Sequence, residues 1–159
     1  MIDAEIRELT PQPAVAARLR ARTDELAKVF DEHLPNIAHR LADMGIEPAG
    51  PPFGRYHEFG PEEVDVEVGI PVSAPAPNLR PLAEAEEGEM AASELPGGRA
   101  AITVHRGSYD GLSQTYDQLH DWIHEQGHEE GPAPWESYVD DPSEVDAADL
   151  KTEVCWPLA

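Results

Sequence analysis

The segment Trp135-Glu136-Ser137-Tyr138 sets a carboxylate among aromatic residues in a stretch with strand-like alternation. In a strand, Glu136 and Tyr138 share one face, while Trp135 and Ser137 share the other. A carboxylate rimmed by aromatics in a largely apolar groove suits a lipophilic cation, through ion pairing and cation–π contact. Burial would also raise its proton affinity, so the same group could donate or accept a proton. The plainer alternative is an exposed strand glutamate.

Other reactive side chains are weaker candidates. His120, His124 and His128 fall at i, i+4 and i+8, a spacing that can align imidazoles on a helix. Gly127 is expected to end that helix before His128, and no acidic or cysteine ligand has an obvious place beside them. They read as solvated helix residues, and no metal or other cofactor is expected. His105-Arg106-Gly107-Ser108-Tyr109 closes a strand and opens a helix, but the Ser108/His105 pair lacks a nucleophile-elbow context. Cys155 is the single cysteine, which excludes an intrachain disulfide, and its apolar setting reads as a buried small hydrophobe. Glu67 and Glu153 occupy equivalent strand positions. A repeated carboxylate is expected to serve the architecture, although Glu67 could line a cleft as well.

The elements that position these residues come in two similar sets. Residues 45–56 align without a gap on 127–138, an offset of 82, and Glu67–Val72 aligns on Glu153–Leu158 at 86. Asp24, Leu26, Phe30 and Ile37 also match Asp110, Leu112, Tyr116 and Ile123 at 86, so the first helix should be about one turn longer. Ile6 and Leu9 end a first strand, and Val15, Ala17, Leu19 and Ala21 alternate with polar residues in a second. Thr23 is placed to cap a helix whose apolar stripe runs from Leu26 through Phe30, Leu34, Ile37 and Leu41 to Gly45. Pro35 is expected to kink or split it. Strands follow at 53–57 and 64–72.

Residues 74–87, with Pro75, Pro77 and Pro81, read as a surface connection. The second set then repeats the order: strands at 89–95 and 99–106, a helix with stripe Leu112, Tyr116, Leu119, Trp122 and Ile123, and strands at 135–139 and 152–158. The reading is one α+β domain over 1–159, a duplicated βαββ-type module with repeats 1–73 and 88–159. Two antiparallel sheets, each with one long helix, would meet across a pseudo-twofold groove. Phe53 and Trp135 are expected beneath the helices, leaving Glu136, Tyr138 and Tyr56 toward the groove. At one position the copies disagree in charge: Glu136 stands where the first has Gly54.

Thirty-two acidic residues oppose eleven basic ones, a net charge of −21. Such a surface repels phosphates and argues against direct nucleic-acid binding. Its simplest role is solubility, and in a salty cytoplasm screening would weaken the self-repulsion. Attraction of cationic ligands is the sharper reading. No apolar run is long enough to span a membrane and no signal peptide opens the chain, which points to the cytoplasm.

The chain resembles the GyrI-like small-molecule-binding domain family, which includes effector-binding domains of AraC-type and multidrug-responsive MerR-type regulators. The resemblance rests on Leu95-Pro96-Gly97-Gly98-Arg99-Ala100-Ala101, on His105 to Leu112, on Gly131 to Tyr138 and on Asp141-Pro142. Gly50 to His57 and Val64 to Val72 carry it in the first half. It implies a ligand groove in which the glutamate of the Trp-Glu-x-Tyr motif, here Glu136, meets cationic or polar ligands. His105 lies within a matching motif and joins the ligand-binding candidates. Ser108 departs from the proline common in the family. No helix-turn-helix region precedes the first strand, so a stand-alone binder is expected rather than a complete transcription factor.

The leading expectation is capture of a lipophilic, cationic or reactive small molecule, with Glu136 supplying charge and Tyr138 and Tyr56 the aromatic walls. The resemblance also implies an alternative, a hydrolase that opens strained cyclopropane-containing electrophiles while Glu136 steers water or a proton. Gyrase-inhibitory members of the family imply a third, an acidic protein that binds gyrase.

Overall fold

The computed structural model describes residues 2–76, 78–141 and 143–159; Pro77 and Pro142 lie outside them. Among the described residues the class is α+β, antiparallel strands with two α-helices. The strands are β1 (Ala4–Leu9), β2 (Gln12–Arg22), β3 (Phe53–Phe59), β4 (Glu63–Pro71), β5 (Ala91–Leu95), β6 (Gly98–Arg106), β7 (Trp135–Tyr138) and β8 (Lys151–Pro157). Helix α1 covers Leu26–Asp43 and α2 covers Leu112–Glu125, at 18 and 14 residues. The extra turn of α1 accounts for the change of offset from 86 to 82. No helix among the described residues is long and apolar enough to cross a membrane.

Residues 10–97 form one compact unit, and residues 1–9 with 98–159 form another. In the contiguous unit the strand order is β3-β4-β2-β5, and in the other it is β1-β6-β8-β7. One sheet for each half of the sequence is therefore corrected: β1 pairs antiparallel with β6, and β5 with β2.

The registers obey the offsets seen in the sequence. Val68 of β4 lies between Ala17 and Gly54; Val154 of β8 lies between Thr103 and Glu136. Every member of the second row is the sequence counterpart of the first, so Glu136 and Gly54 occupy the same place in their strand triplets.

Each helix covers one face of its own strands. Val64, Val66 and Val68 pack with Val29, Leu26 and Phe30 of α1; Val15, Ile70 and Val72 pack with Ile37 and Leu41 farther along. In the other unit Ala101 and Val154 pack against Leu119 and Ile123 of α2, with Tyr116 edge-on to Trp156. The apolar stripes anticipated in the sequence form these contacts, and burying each such side chain contributes roughly 1.5–3 kcal/mol.

Two expectations at α1 need correction. Thr23 does not cap the helix; its hydroxyl donates to the Gly60 carbonyl at 2.9 Å and ties the helix start to the β3–β4 turn. Pro35 does not split the helix, which runs unbroken through it. Pro35 and Asp31, four residues before it, are both exposed, so water can reach the carbonyl that the missing N–H leaves unbonded.

Candidate functional site

Directly opposed residues of antiparallel strands point to the same face. Glu136 lies opposite Val154, which packs against α2, so its side chain is on the helix side of the strands. Tyr138 lies opposite Thr152, and Thr152 lies opposite His105, whose Nδ1 meets Thr115 Oγ1 of α2 at 2.7 Å. Trp135 lies opposite Cys155 and takes the other face. The alternation anticipated for these residues is present, but the faces are inverted: Glu136 and Tyr138 point toward the helix side and Trp135 away from it.

The same inversion holds in the contiguous unit. Tyr56 packs with Val29, Val64, Val66 and Val68 beneath α1. Phe53 lies opposite Gly69 on the far face. Sequence reasoning equated deep burial of Phe53 and Trp135 with the helix side. Both are buried, but on the face the helix does not cover.

Glu136 is 3% exposed, a buried carboxylate on a four-residue strand. The Tyr138 ring meets Tyr109 edge to face, with centroids 5.9 Å apart. Tyr109 belongs to a single 3-10 turn, residues 109–111, that leads into α2, so the helix start brings this phenol to β7. Burial pushes the Tyr109 hydroxyl upward in pKa, and the charges of Glu136, Asp141 and Asp140 add to the effect. Thr152 Oγ1, in the same row as Tyr138, is a buried hydroxyl without a hydrogen-bond partner among the described residues. Two phenols, a carboxylate and a hydroxyl thus gather where β7 and β8 meet the start of α2.

His105 is held on both nitrogens, by Thr115 and by the Ser108 carbonyl at 2.7 Å. It lines a cavity of about 560 Å³ with Thr103, Gly111, Gln114 and Gln118. A Cβ on Gly111 would come within 2.9 Å of the imidazole Cε1, so glycine there lets the helix start close over His105. Glu136 and Tyr138 do not line this cavity.

Glu67 is 1% exposed and bound at both oxygens, by His57 Nε2 at 3.0 Å and by the Ser93 hydroxyl. Beside it, Asp65 receives a two-pronged Arg18 guanidinium at 3.0 and 2.9 Å. That hydrogen bonding holds the Asp65 carboxyl below its usual range, against the upward pull of burial. Glu67, His57, Arg18 and Arg55 line a cavity of about 430 Å³ walled by Pro13, Pro75 and Pro81. Ser93 is a partner that sequence reasoning missed, because β5 reaches Glu67 only through its pairing with β2. Burial pulls the Arg55 guanidinium downward in pKa, partly countered by Glu67.

His120 and His124 are not simply solvated. Glu130 folds back to them, with its carboxylate 3.0 and 3.1 Å from His124 Nε2 and also against His120 Nδ1. His128 lies beyond the helix end, as Gly127 implied. Cys155 is buried, and its thiol pKa is driven far upward by burial and the neighbouring Glu153.

The pattern of the GyrI-like small molecule binding domain matches residues 3–159. No curated protein matches the chain. Among solved structures it is similar to the EcmrR C-terminal domain, at 23% identity and TM-score 0.81, covering 100% of this chain and 98% of that one. It spans 57% of the EcmrR chain in a complex with DNA, at 23% identity over 98% of this chain and TM-score 0.80. A hydrolase from Listeria innocua is similar at 12% identity and TM-score 0.68, over 98% of this chain and 91% of that one. SAV2435 bound to tetraphenylphosphonium is similar at 12% identity and TM-score 0.61, over 99% and 94%. At these identities the likenesses establish a shared fold, and with the family pattern along nearly the whole length, the chain belongs to the GyrI-like small-molecule-binding domain family.

Proposed function

We propose that this protein captures lipophilic cations at Glu136, with Tyr138 and Tyr109 as aromatic neighbours and the Thr152 hydroxyl as a polar contact. The observation that carries the reading is a carboxylate 3% exposed, in a row whose counterpart holds only Gly54. A carboxylate held beside aromatic rings in a site of low dielectric attracts a lipophilic cation through both ion pairing and cation–π contact. We read the matched registers as two copies of one module, of which only the second acquired the carboxylate. Tetraphenylphosphonium, the ligand of SAV2435, is a cation of the required kind. Tyr56, which packs beneath α1 in the contiguous unit, is kept as a further candidate aromatic wall.

A cationic dye and a neutral dye of similar shape, titrated against the wild type and Glu136→Gln, test the assignment. An ion pair near 5 Å at an effective dielectric constant of about 20 is worth roughly 3 kcal/mol, reduced by imperfect desolvation. The cationic dye should therefore bind about ten- to a hundredfold more weakly to the variant, with the neutral dye unchanged. Equal affinities for the cationic dye would remove Glu136 from the site.

A second reading has support in the Tyr109 phenol, a proton donor lying in the field of the Glu136 carboxylate. In that reading water attacks a strained electrophilic ring, and a C–O bond forms as a ring C–C bond breaks. Glu136 takes a proton from the water, and a tyrosine that orients the substrate gives a proton to the substrate atom that receives the released electron pair. Turnover of a cyclopropane-containing electrophile beyond one equivalent, followed by mass spectrometry, separates hydrolysis from capture. Product limited to one equivalent leaves binding alone.

A further inference from the structure

We propose that His120, His124 and Glu130 form a binding site for a divalent first-row transition ion of the zinc type. The inference is independent of the Glu136 reading, because none of its residues belongs to that cluster. The three donor atoms lie within 4.8 Å of one another. Tetrahedral coordination with zinc bonds of about 2.0–2.2 Å asks for donors roughly 3.3–3.5 Å apart. The His124 Nε2 separations of 3.0 and 3.1 Å from the two Glu130 oxygens are near that spacing, and His120 Nδ1, in direct contact with the same carboxylate, would draw back from it to admit an ion.

The placement follows from the local fold. Positions 120 and 124 stand one above the other on α2, and their rings have centroids 4.5 Å apart. Gly127, at φ 81°, turns the chain back, with the His128 amide donating to the Ile123 carbonyl at 3.1 Å. The returning segment is then fixed on both sides of Glu130. Ala159 N donates to Glu129 O at 2.9 Å, and Gly131 N donates to Pro157 O at 2.6 Å. Trp156 adds a further restraint: its indole N–H donates to Gly131 O at 3.1 Å, and its ring lies 6.3 Å from that of His120. Pinning a ligand-bearing backbone in advance reduces the ordering that metal binding would otherwise require.

The donor chemistry selects among ions. Two imidazoles and one carboxylate suit zinc, nickel, cobalt or copper better than magnesium or calcium, which favour oxygen. The imidazole side chains are about half exposed, at 51% and 48%, so an ion can enter and keep water in its open positions. The chain's charge of −21 also raises the concentration of divalent cations at its surface.

Calorimetric titration of the metal-free full chain with Zn²⁺, in excess Mg²⁺ to occupy diffuse carboxylate sites, tests the proposal. One saturable equivalent is expected. His120→Ala, His124→Ala and Glu130→Gln should each weaken it at least tenfold, and His39→Ala on α1 should leave it unchanged. Circular dichroism would verify that each variant is folded. Quenching of indole fluorescence by Cu²⁺ gives a second readout, expected in the wild type and lost in the triple variant. Several weak equivalents indifferent to these substitutions, or no saturable binding, would overturn the site and leave the trio as a clasp between the helix end and the returning chain.

Discussion

Replacing Gly69 with alanine should destabilise the protein, although alanine is ordinarily the better strand residue. Gly69 sits in β4 between Ala16 of β2 and Phe53 of β3. A Cβ at this position would lie 2.7 Å from the Phe53 Cζ, 2.8 Å from the Ala16 Cβ and 2.8 Å from the Val15 carbonyl oxygen. The ring tip alone could swing aside. The other two atoms belong to β2, which is hydrogen-bonded to β4 along its length, so relief would require spreading the ladder. Overpacking of this kind costs about 1–3 kcal/mol, and the backbone contact favours the upper end. Removing a glycine from a strand returns roughly 0.5–1 kcal/mol, leaving a net loss near 2 kcal/mol. For a chain of this size that corresponds to a fall in Tm of about 4–8 °C. Differential scanning calorimetry of Gly69→Ala beside Gly50→Ala is the assay. A Cβ on Gly50 would meet only Pro71 Cγ, at 3.7 Å, so that substitution should change Tm little. Ala16→Gly combined with Gly69→Ala should recover part of the loss. A Gly69→Ala protein that melts at or above the wild-type temperature would refute the reasoning.

Two further perturbations probe the framework. Asp65→Asn should cost about 1–2 kcal/mol at neutral pH, a hydrogen-bonded charge pair tempered by the exposure of Arg18. Because the folded-state pKa of Asp65 is depressed, this contribution is present above the unfolded pKa and lost as pH falls through the folded one. Urea titrations should therefore show the wild-type advantage shrinking below about pH 4, and an advantage that persisted undiminished to lower pH would contradict it. Pro35→Ala should raise stability by about 1 kcal/mol or more, since α1 already runs through that position and would regain a hydrogen bond. No rise in Tm would mean that the proline's restriction of the unfolded chain outweighs its cost to the helix.

The sequence and the structure agree most closely where a period or a repeat constrains many residues together. The stripes from Leu26 to Leu41 and from Leu112 to Ile123 are the packed faces of α1 and α2, and the change of offset is the difference in their lengths. The alternation at Trp135–Tyr138 was legible, but not which face the helix covers. Period two separates the faces without labelling them, and the deep burial of Phe53 and Trp135 pointed to the wrong one. Partners brought by pairing from afar were invisible: Ser93 reaches Glu67 through β5, and Glu130 reaches the imidazoles only because Gly127 reverses the chain. The placement of β1 was equally hidden, because a short strand carries no mark of which neighbour it will join.

That placement bears on how the chain is made. Residues 10–97 are contiguous, so their unit has all its strands once that stretch has left the ribosome. The other unit draws its first strand from before residues 10–97 and needs β6, made after them, before that strand has a partner. Until then β1 is an unpaired segment carrying Ile6 and Leu9. Its Glu5, Arg7 and Glu8 give that waiting edge charges that discourage pairing with strangers.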